Sequence, residues 1–177
     1  QRLSGIATLT QQYVAQIKHT NTTLLDTRKT IPGHRVLEKY ATRTGGAINH
    51  RHGLDRGWLI KENHIREVGS VAAAVQRAKA YGTHGLKIEI EVETFDELAQ
   101  AVDAGADIIL LDNFSVTDVE RAVQVYGRQV ALEASGGIHL DNIAQYANTG
   151  VDFIAVGALT HSARSCDLAA DLVPHES

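Results

Sequence analysis

Two groups of ionisable residues recur in this chain at the ends of short apolar runs. Cations stand first: Arg28 and Lys29 in Asp26-Thr27-Arg28-Lys29, His50 and Arg51 in Asn49-His50-Arg51, and Lys61 and His64 in Lys61-Glu62-Asn63-His64. Carboxylates follow at Glu89, Glu91, Asp112 and Glu133. A guanidinium presents a planar fork that matches carboxylate and phosphate oxygens, and a lysine adds a point charge. Carboxylate oxygens suit a hard cation such as Mg. One such charge alone would be an ordinary surface pair; the set points to a site with one side for a polyanion and the other for a divalent cation.

Two glycine-containing turns extend this reading. Ser135-Gly136-Gly137-Ile138 and Gly157-Ala158-Leu159-Thr160 each follow a short β-rich run near the C-terminal end of the sequence. Backbone N–H groups in such turns can hold a phosphate, although glycine in a tight turn needs no ligand. A covalent nucleophile is not indicated, since no Ser-His-Asp or Cys-His arrangement stands out. Cys166 is the sole cysteine, so an intrachain disulfide is excluded, and nothing around it suggests activation.

The elements that must position these groups form a βα rhythm. Strands are predicted at Leu86–Val92, Ile108–Asp112, Val130–Ala134 and Phe153–Gly157, starting about 22 residues apart, with earlier candidates at Thr22–Asp26, Ala47–His50 and Trp58–Lys61. Helices are predicted over Leu3–His19, His34–Arg43, Ser70–Tyr81, Thr94–Ala104, Ser115–Tyr126 and Leu140–Asn148. Thr94 and Ser115 have N-cap character, Asp141 is an N-cap or the neighbour of one, and Gly105, Gly127 and Gly150 sit where C-terminal glycines belong.

Runs without alternation, such as Ile108-Ile109-Leu110-Leu111, fit parallel strands buried on both faces. Six or seven such units make one α/β domain over residues 1–177, an incomplete, open β/α barrel, because a closed eightfold barrel takes about 250 residues. A doubly wound sheet is the alternative. In a barrel the strand ends form the active site. The strand Leu86–Val92 is the anomaly, since its alternation sets Lys87, Glu89 and Glu91 on one face. Charges rarely enter a buried face without partners, so this face is expected to line a polar barrel mouth; a solvated edge strand is the plainer reading.

Composition narrows the function. A formal net charge of -4 gives no global attraction to nucleic acid or an anionic membrane surface. The apolar runs are too short to span a bilayer and no signal-peptide core is present, which leaves the cytoplasm as the expected location.

On these residues the sequence resembles the quinolinate phosphoribosyltransferase family. The resemblance runs through Leu3-Ser4-Gly5-Ile6-Ala7-Thr8, the block from Asp26 to Ile65, Glu89 to Thr94, Leu110 to Ser115, Leu132 to Ile138 and Val156 to Ala163. It implies a type II phosphoribosyltransferase-like barrel that transfers phosphoribosyl from phosphoribosyl pyrophosphate to quinolinate with decarboxylation. The products would be nicotinate mononucleotide, pyrophosphate and carbon dioxide, within NAD biosynthesis. The resemblance assigns Arg28, His50, Arg51 and Lys61 to quinolinate. Lys29, Glu91 and Asp112 go to phosphoribosyl pyrophosphate and its Mg, with Glu91 and Asp112 as metal ligands and Lys29, Lys61, Glu91 and Asp112 as the catalytic set. Ser135, Gly136, Gly137, Gly157 and Ala158, together with Lys29, would hold phosphate.

The same resemblance implies a homodimer with shared sites. It also implies an α/β domain and a partner-reaching arginine ahead of Gln1, which makes the chain a fragment on this reading. His161 stands where many members carry lysine. Competing readings are a related barrel of the molybdenum-transport type and a non-catalytic phosphate-binding module; the Thr-Arg-Lys and Asn-His-Arg segments favour quinolinate.

Overall fold

The computed structural model describes residues 1–82 and 85–173. Six strands are present: β1 Thr23–Leu25, β2 Trp58–Ile60, β3 Ile88–Val92, β4 Ile108–Asp112, β5 Ala131–Ser135 and β6 Phe153–Ala155. All pair in parallel in one sheet of order β1-β6-β5-β4-β3-β2. Sequence order is thus kept around the sheet except for one break, between β1 and β2, as in a barrel opened along a single seam. The candidate strand at Ala47–His50 does not form. Only Ile48 bridges to Leu25, giving a single rung beside β1.

The helices are α1 Arg2–Ile17, α2 Arg35–Thr44, α3 Glu62–Val68, α4 Val71–Tyr81, α5 Phe95–Asp103, α6 Val116–Tyr126, α7 Ile143–Asn148 and α8 Ala158–His161. The short α3 and α8 were not anticipated, because neither is long enough to display a helical period. Among the described residues, no helix is long and apolar enough to cross a membrane.

The hydrophobic core lies between the sheet and its helices. Ile90 and Val92 of β3, Ile109 and Leu111 of β4 and Leu132 and Ala134 of β5 are buried in one cluster with Val75, Leu98, Val119 and Ile143 from the helices. Their neighbours in sequence, Glu89, Glu91, Leu110, Asp112, Glu133 and Ser135, line cavities inside the barrel instead. Alternation therefore persists in β3 to β5 with an apolar outer face and a largely polar inner one. One-sided packing of this kind is the barrel arrangement and sets aside the doubly wound alternative.

The starts of the regular units are secured by caps. Thr94 Oγ1 accepts from Glu97 N at 3.2 Å and Ser115 Oγ accepts from Asp118 N at 3.2 Å. Glu97 reaches back to Glu93 N, one residue before the cap. Asp141 precedes the N-cap, Asn142, whose Oδ1 accepts from His139 N.

Lys87 departs from expectation. It precedes β3, is exposed, and lies 3.3 Å from Asp107 at the end of the barrel away from the mouth. The polar inner face of β3 therefore begins at Glu89.

Candidate active site

At the C-terminal ends of the strands lies a cavity of about 330 Å³ whose walls include Arg28, Lys29, His50, Arg51, Lys61, Glu91, Asp112 and Ser135. Residues from six separate stretches of sequence thus meet in one space, within the size range of small-molecule sites. A larger apolar groove of about 760 Å³ lies outside the barrel against β2, α3 and α4, with Trp58, Val68 and Tyr81 in its wall. It gathers no comparable charge set, so the chemistry belongs to the mouth.

The cationic wall is carried by loops, and a buried polar cluster fixes them. Asp26 is fully buried at the end of β1. Its Oδ1 accepts from Lys39 Nζ at 2.5 Å and from His50 N at 2.9 Å. Its Oδ2 accepts from Thr42 Oγ1 at 2.8 Å and Asn49 Nδ2 at 2.7 Å. Lys39 Nζ also donates to His50 O at 2.9 Å. One carboxylate thereby ties β1, α2 and the His50-Arg51 segment together. Lys39, Thr42 and Glu38 are fully buried although they lie on a helix whose Val36 and Tyr40 are exposed.

Arg51 Nη1 donates to Gly57 O at 2.9 Å, bridging the barrel seam just before β2. Burial, followed by the neighbouring charge of Arg28, pulls the Arg51 guanidinium below its ordinary pKa. The Nε atoms of both Arg28 and Arg51 are buried without a hydrogen-bond partner among the described residues. Buried donors of this type are normally satisfied, so two in one wall mark a place built for an anion.

The opposite wall comes from regular strands. Glu91 forms an ion pair with Lys61. Burial and then the Glu91 charge raise the Asp112 carboxyl above the usual range, with Lys61 and Lys29 acting in the other direction. Two carboxylates set close enough for one to raise the other fit a hard cation between them. Glu91 and Asp112 are accordingly the donors suited to Mg. Asn113 Nδ2 holds Asp112 Oδ2 at 2.8 Å.

Deeper in the barrel, His50 Nε2 lies 3.1 Å from Glu89 Oε2 and 3.9 Å from Glu133 Oε1. Glu89 and Glu133 belong to the expected carboxylate set, but no role was assigned to either. His64 does not line the cavity; its Nδ1 accepts from Lys61 N at 2.9 Å, which caps α3.

The glycine turns flank the mouth. Gly136 has a φ of 88°, and a Cβ there would stand 2.2 Å from Asn113 Oδ1 and 2.8 Å from Asn113 N, so only glycine fits. Lys29 and His161 both pack over Gly157. Of the five expected phosphate-binding turn residues, Ser135 lines the cavity itself; Gly136 and Gly137 lie in the loop beyond it, and Gly157 and Ala158 are the N-cap and first residue of α8. The Lys39–Asp26–Thr42 cluster was missed. Its sequence signal is the spacing of Glu38, Lys39 and Thr42, which puts three polar residues on one side of a helix with apolar residues opposite.

The fold and mouth define a class: an open β/α barrel whose strand ends combine paired guanidiniums with paired carboxylates. Residues 6–171 match the family model described as "Quinolinate phosphoribosyl transferase, C-terminal domain", and the chain belongs to that family. It is 44% identical over 97% of its length to the probable nicotinate-nucleotide pyrophosphorylase [carboxylating] of Bacillus subtilis. It is 47% identical over 96% to the nicotinate-nucleotide pyrophosphorylase [carboxylating] of Mycobacterium leprae. These matches take in 60% and 61% of the two relatives, so the chain spans about three fifths of their length. The solved nicotinate-nucleotide pyrophosphorylase from Francisella tularensis superposes with a TM-score of 0.89 at 52% identity, over 93% of this chain and 58% of that one. NadC from Streptococcus pyogenes gives 0.90 at 41% identity, over 94% and 59%.

Proposed function

We propose that this barrel carries the catalytic site of a quinolinate phosphoribosyltransferase. It would join quinolinate to phosphoribosyl pyrophosphate and release pyrophosphate and carbon dioxide, leaving nicotinate mononucleotide for NAD biosynthesis. The observation that carries this reading is the pair of buried, unpartnered guanidinium nitrogens of Arg28 and Arg51, facing the Glu91–Asp112 pair across one cavity. A small ring with two carboxylates is the complement of the first pair, and a metal-bound pyrophosphate that of the second.

In this reading Arg28 and Arg51 orient the two quinolinate carboxylates, with Lys61 adding charge and His50 closing the floor. Lys29 and the Ser135–Gly137 and Gly157–Ala158 turns take the phosphates. Bound Mg would neutralise charge on the departing pyrophosphate. Glu91 and Asp112 hold negative potential where C1' gains oxocarbenium character. The ring nitrogen attacks C1', and the cationic ring then draws the electrons of the departing 2-carboxylate; the protein contributes mainly position and electrostatics. A homodimer in the cytoplasm, each site completed by its partner, belongs to the same proposal.

The test is Mg-dependent release of pyrophosphate together with carbon dioxide from quinolinate and phosphoribosyl pyrophosphate, using this chain and a form extended at its N-terminus. Pyrophosphate release without carbon dioxide, or no turnover in either form, would sink the reading. Phosphate-ligand binding without quinolinate binding would favour the non-catalytic module.

A further inference from the structure

Beneath the mouth is a second cavity of about 190 Å³, bounded by Trp58, Lys87, Ile108 and Phe153 toward the strand starts. It has room for several waters. Trp58 and Lys87 are exposed, which places its outer end at the protein surface near the seam between β1 and β2. His50, Arg51 and Glu133 line both cavities. They form the floor between the mouth and a rear chamber.

This floor contains more acceptors than donors. One atom from each of His50, Glu89 and Glu133 lies within 4.8 Å of the others. Arg51 N donates to His50 Nδ1 at 2.8 Å, which fixes Nδ1 as an acceptor and puts the ring proton on Nε2. That one N–H is closer to Glu89, at 3.1 Å, than to Glu133, at 3.9 Å. Glu133 Oε1 is left buried with no partner, on a side chain only 2% exposed. The strand neighbours of Glu133 are Leu110 on β4 and Phe153 on β6, which bring it no charge. Glu89 on β3 is the neighbouring charge that acts on Glu133; Arg51, Arg56 and Lys87 also line the rear cavity and Arg28, Lys29 and Lys61 the mouth above it, and Arg51 Nη1 is engaged by Gly57 O. A carboxyl in that position resolves its unmatched oxygen by carrying its own proton.

We propose that Glu133 is the acid that supplies a proton to the substrate carbon vacated by carbon dioxide, and that it is recharged from the rear cavity. The proposal rests on the transferase reading above. When the 2-carboxylate leaves, the electrons of its C–C bond remain on C2. They form a C–H bond with the Glu133 proton, and Glu133 becomes a carboxylate. Solvent entering through the seam returns a proton to it while substrate fills the mouth. Burial, and after it the charge of Glu89, pushes the Glu133 carboxyl well above the usual range, the direction an acid that holds its proton requires. The open seam thereby gains a use: it gives the floor an entrance separate from the mouth.

The test uses Glu133→Gln in an active preparation, with carbon dioxide release, quinolinate binding and infrared spectra measured side by side. Expected are a fall in kcat of about 10²-fold or more, unchanged quinolinate affinity, and loss of a protonated-carboxyl C=O band that the parent shows at neutral pH. Retained kcat would overturn the proposal, as would a loss of turnover matched by weaker quinolinate binding. So would a divalent ion held stoichiometrically by the parent without phosphoribosyl pyrophosphate and released by Glu133→Gln. Should that variant not fold, the parent decides alone: kcat must decline with rising pH together with the carboxyl band, and a missing band overturns the assignment. If the parent releases no carbon dioxide, the transferase reading fails, while the infrared band still reports whether Glu133 holds a proton.

Discussion

The two walls of the mouth are built on different principles. Glu91 and Asp112 stand on regular strands whose other face is pinned by Ile90, Val92, Ile109 and Leu111 in the apolar core. Arg28, His50 and Arg51 stand on irregular segments, and the His50-Arg51 segment is held by the polar cluster around Asp26. The carboxylate wall is therefore a by-product of ordinary sheet packing, and the cationic wall depends on a few buried hydrogen bonds. Even the helices differ. On α5, apolar Leu98 and Ala101 are buried, whereas α2 buries Glu38, Lys39 and Thr42 and exposes Val36 and Tyr40. Damage to the two walls should consequently register in different measurements.

The largest effect is expected at Asp26. Asp26→Asn leaves the buried Lys39 ammonium without its counter-charge, and breaking a buried pair from one side costs about 3–5 kcal/mol. Denaturant unfolding should reveal a loss of that order. The double variant Asp26→Asn, Lys39→Met removes both charges and should recover much of the stability. Quinolinate affinity should stay low in it, because the His50-Arg51 segment has lost its anchor. If the double variant binds quinolinate normally, the cluster serves stability alone and the contrast between the walls collapses.

On the other wall, Glu91→Gln or Asp112→Asn should leave the fold intact and lower Mg-dependent turnover by about 10²-fold or more, the scale of removing one aligned electrostatic contact. Quinolinate binding measured without phosphoribosyl pyrophosphate should be retained. An unchanged rate would make the carboxylate pair merely structural.

Arg51→Ala comes next. Loss of a charged hydrogen-bonding partner for one carboxylate is expected to weaken quinolinate binding by about 1.5–3 kcal/mol, readable by calorimetry. The Mg dependence should not move. Normal affinity in a folded variant would remove Arg51 from the substrate wall.

The same difference explains what could be read from the residues alone. The βα units of β3 and β4 were legible because each joins an apolar run, a side-chain cap at Thr94 or Ser115 and a terminal glycine, so local signals agree with the fold. The polar residues at strand ends were legible for the same reason: once a strand is placed, its end is placed. The expected seventh strand does not form. Ala47–His50 has the right residues, but its chain is drawn aside to Asp26 and Lys39, and only Ile48 makes a rung. Lys87 misled in the opposite way, since period-two spacing from Glu89 gives a shared face but does not say which end of the barrel it occupies. The roles of Glu89 and Glu133 were out of reach, because they depend on how the two carboxylates share the single Nε2 of His50, a residue brought beside them only by the loop after Ile48.

The smallest effect concerns Asp112 again, now as a matter of stability. Burial and Glu91 raise its carboxyl above 3.8, so the folded state binds this proton more tightly than the unfolded state does. Stability from this group is then highest below the unfolded value and falls as pH rises through the raised one, the reverse of a salt-bridged aspartate. Asp112→Asn removes the half-buried charge. It should raise Tm at neutral pH, by a few degrees at most on the order expected for a domain of this size, and the advantage should shrink as pH is lowered toward the usual carboxylate range. Added Mg with phosphoribosyl pyrophosphate should stabilise the parent more than the variant. A variant that melts below the parent at neutral pH would mean that the Lys61 and Lys29 charges outweigh Glu91, and that the carboxylate wall is already balanced by the cationic one.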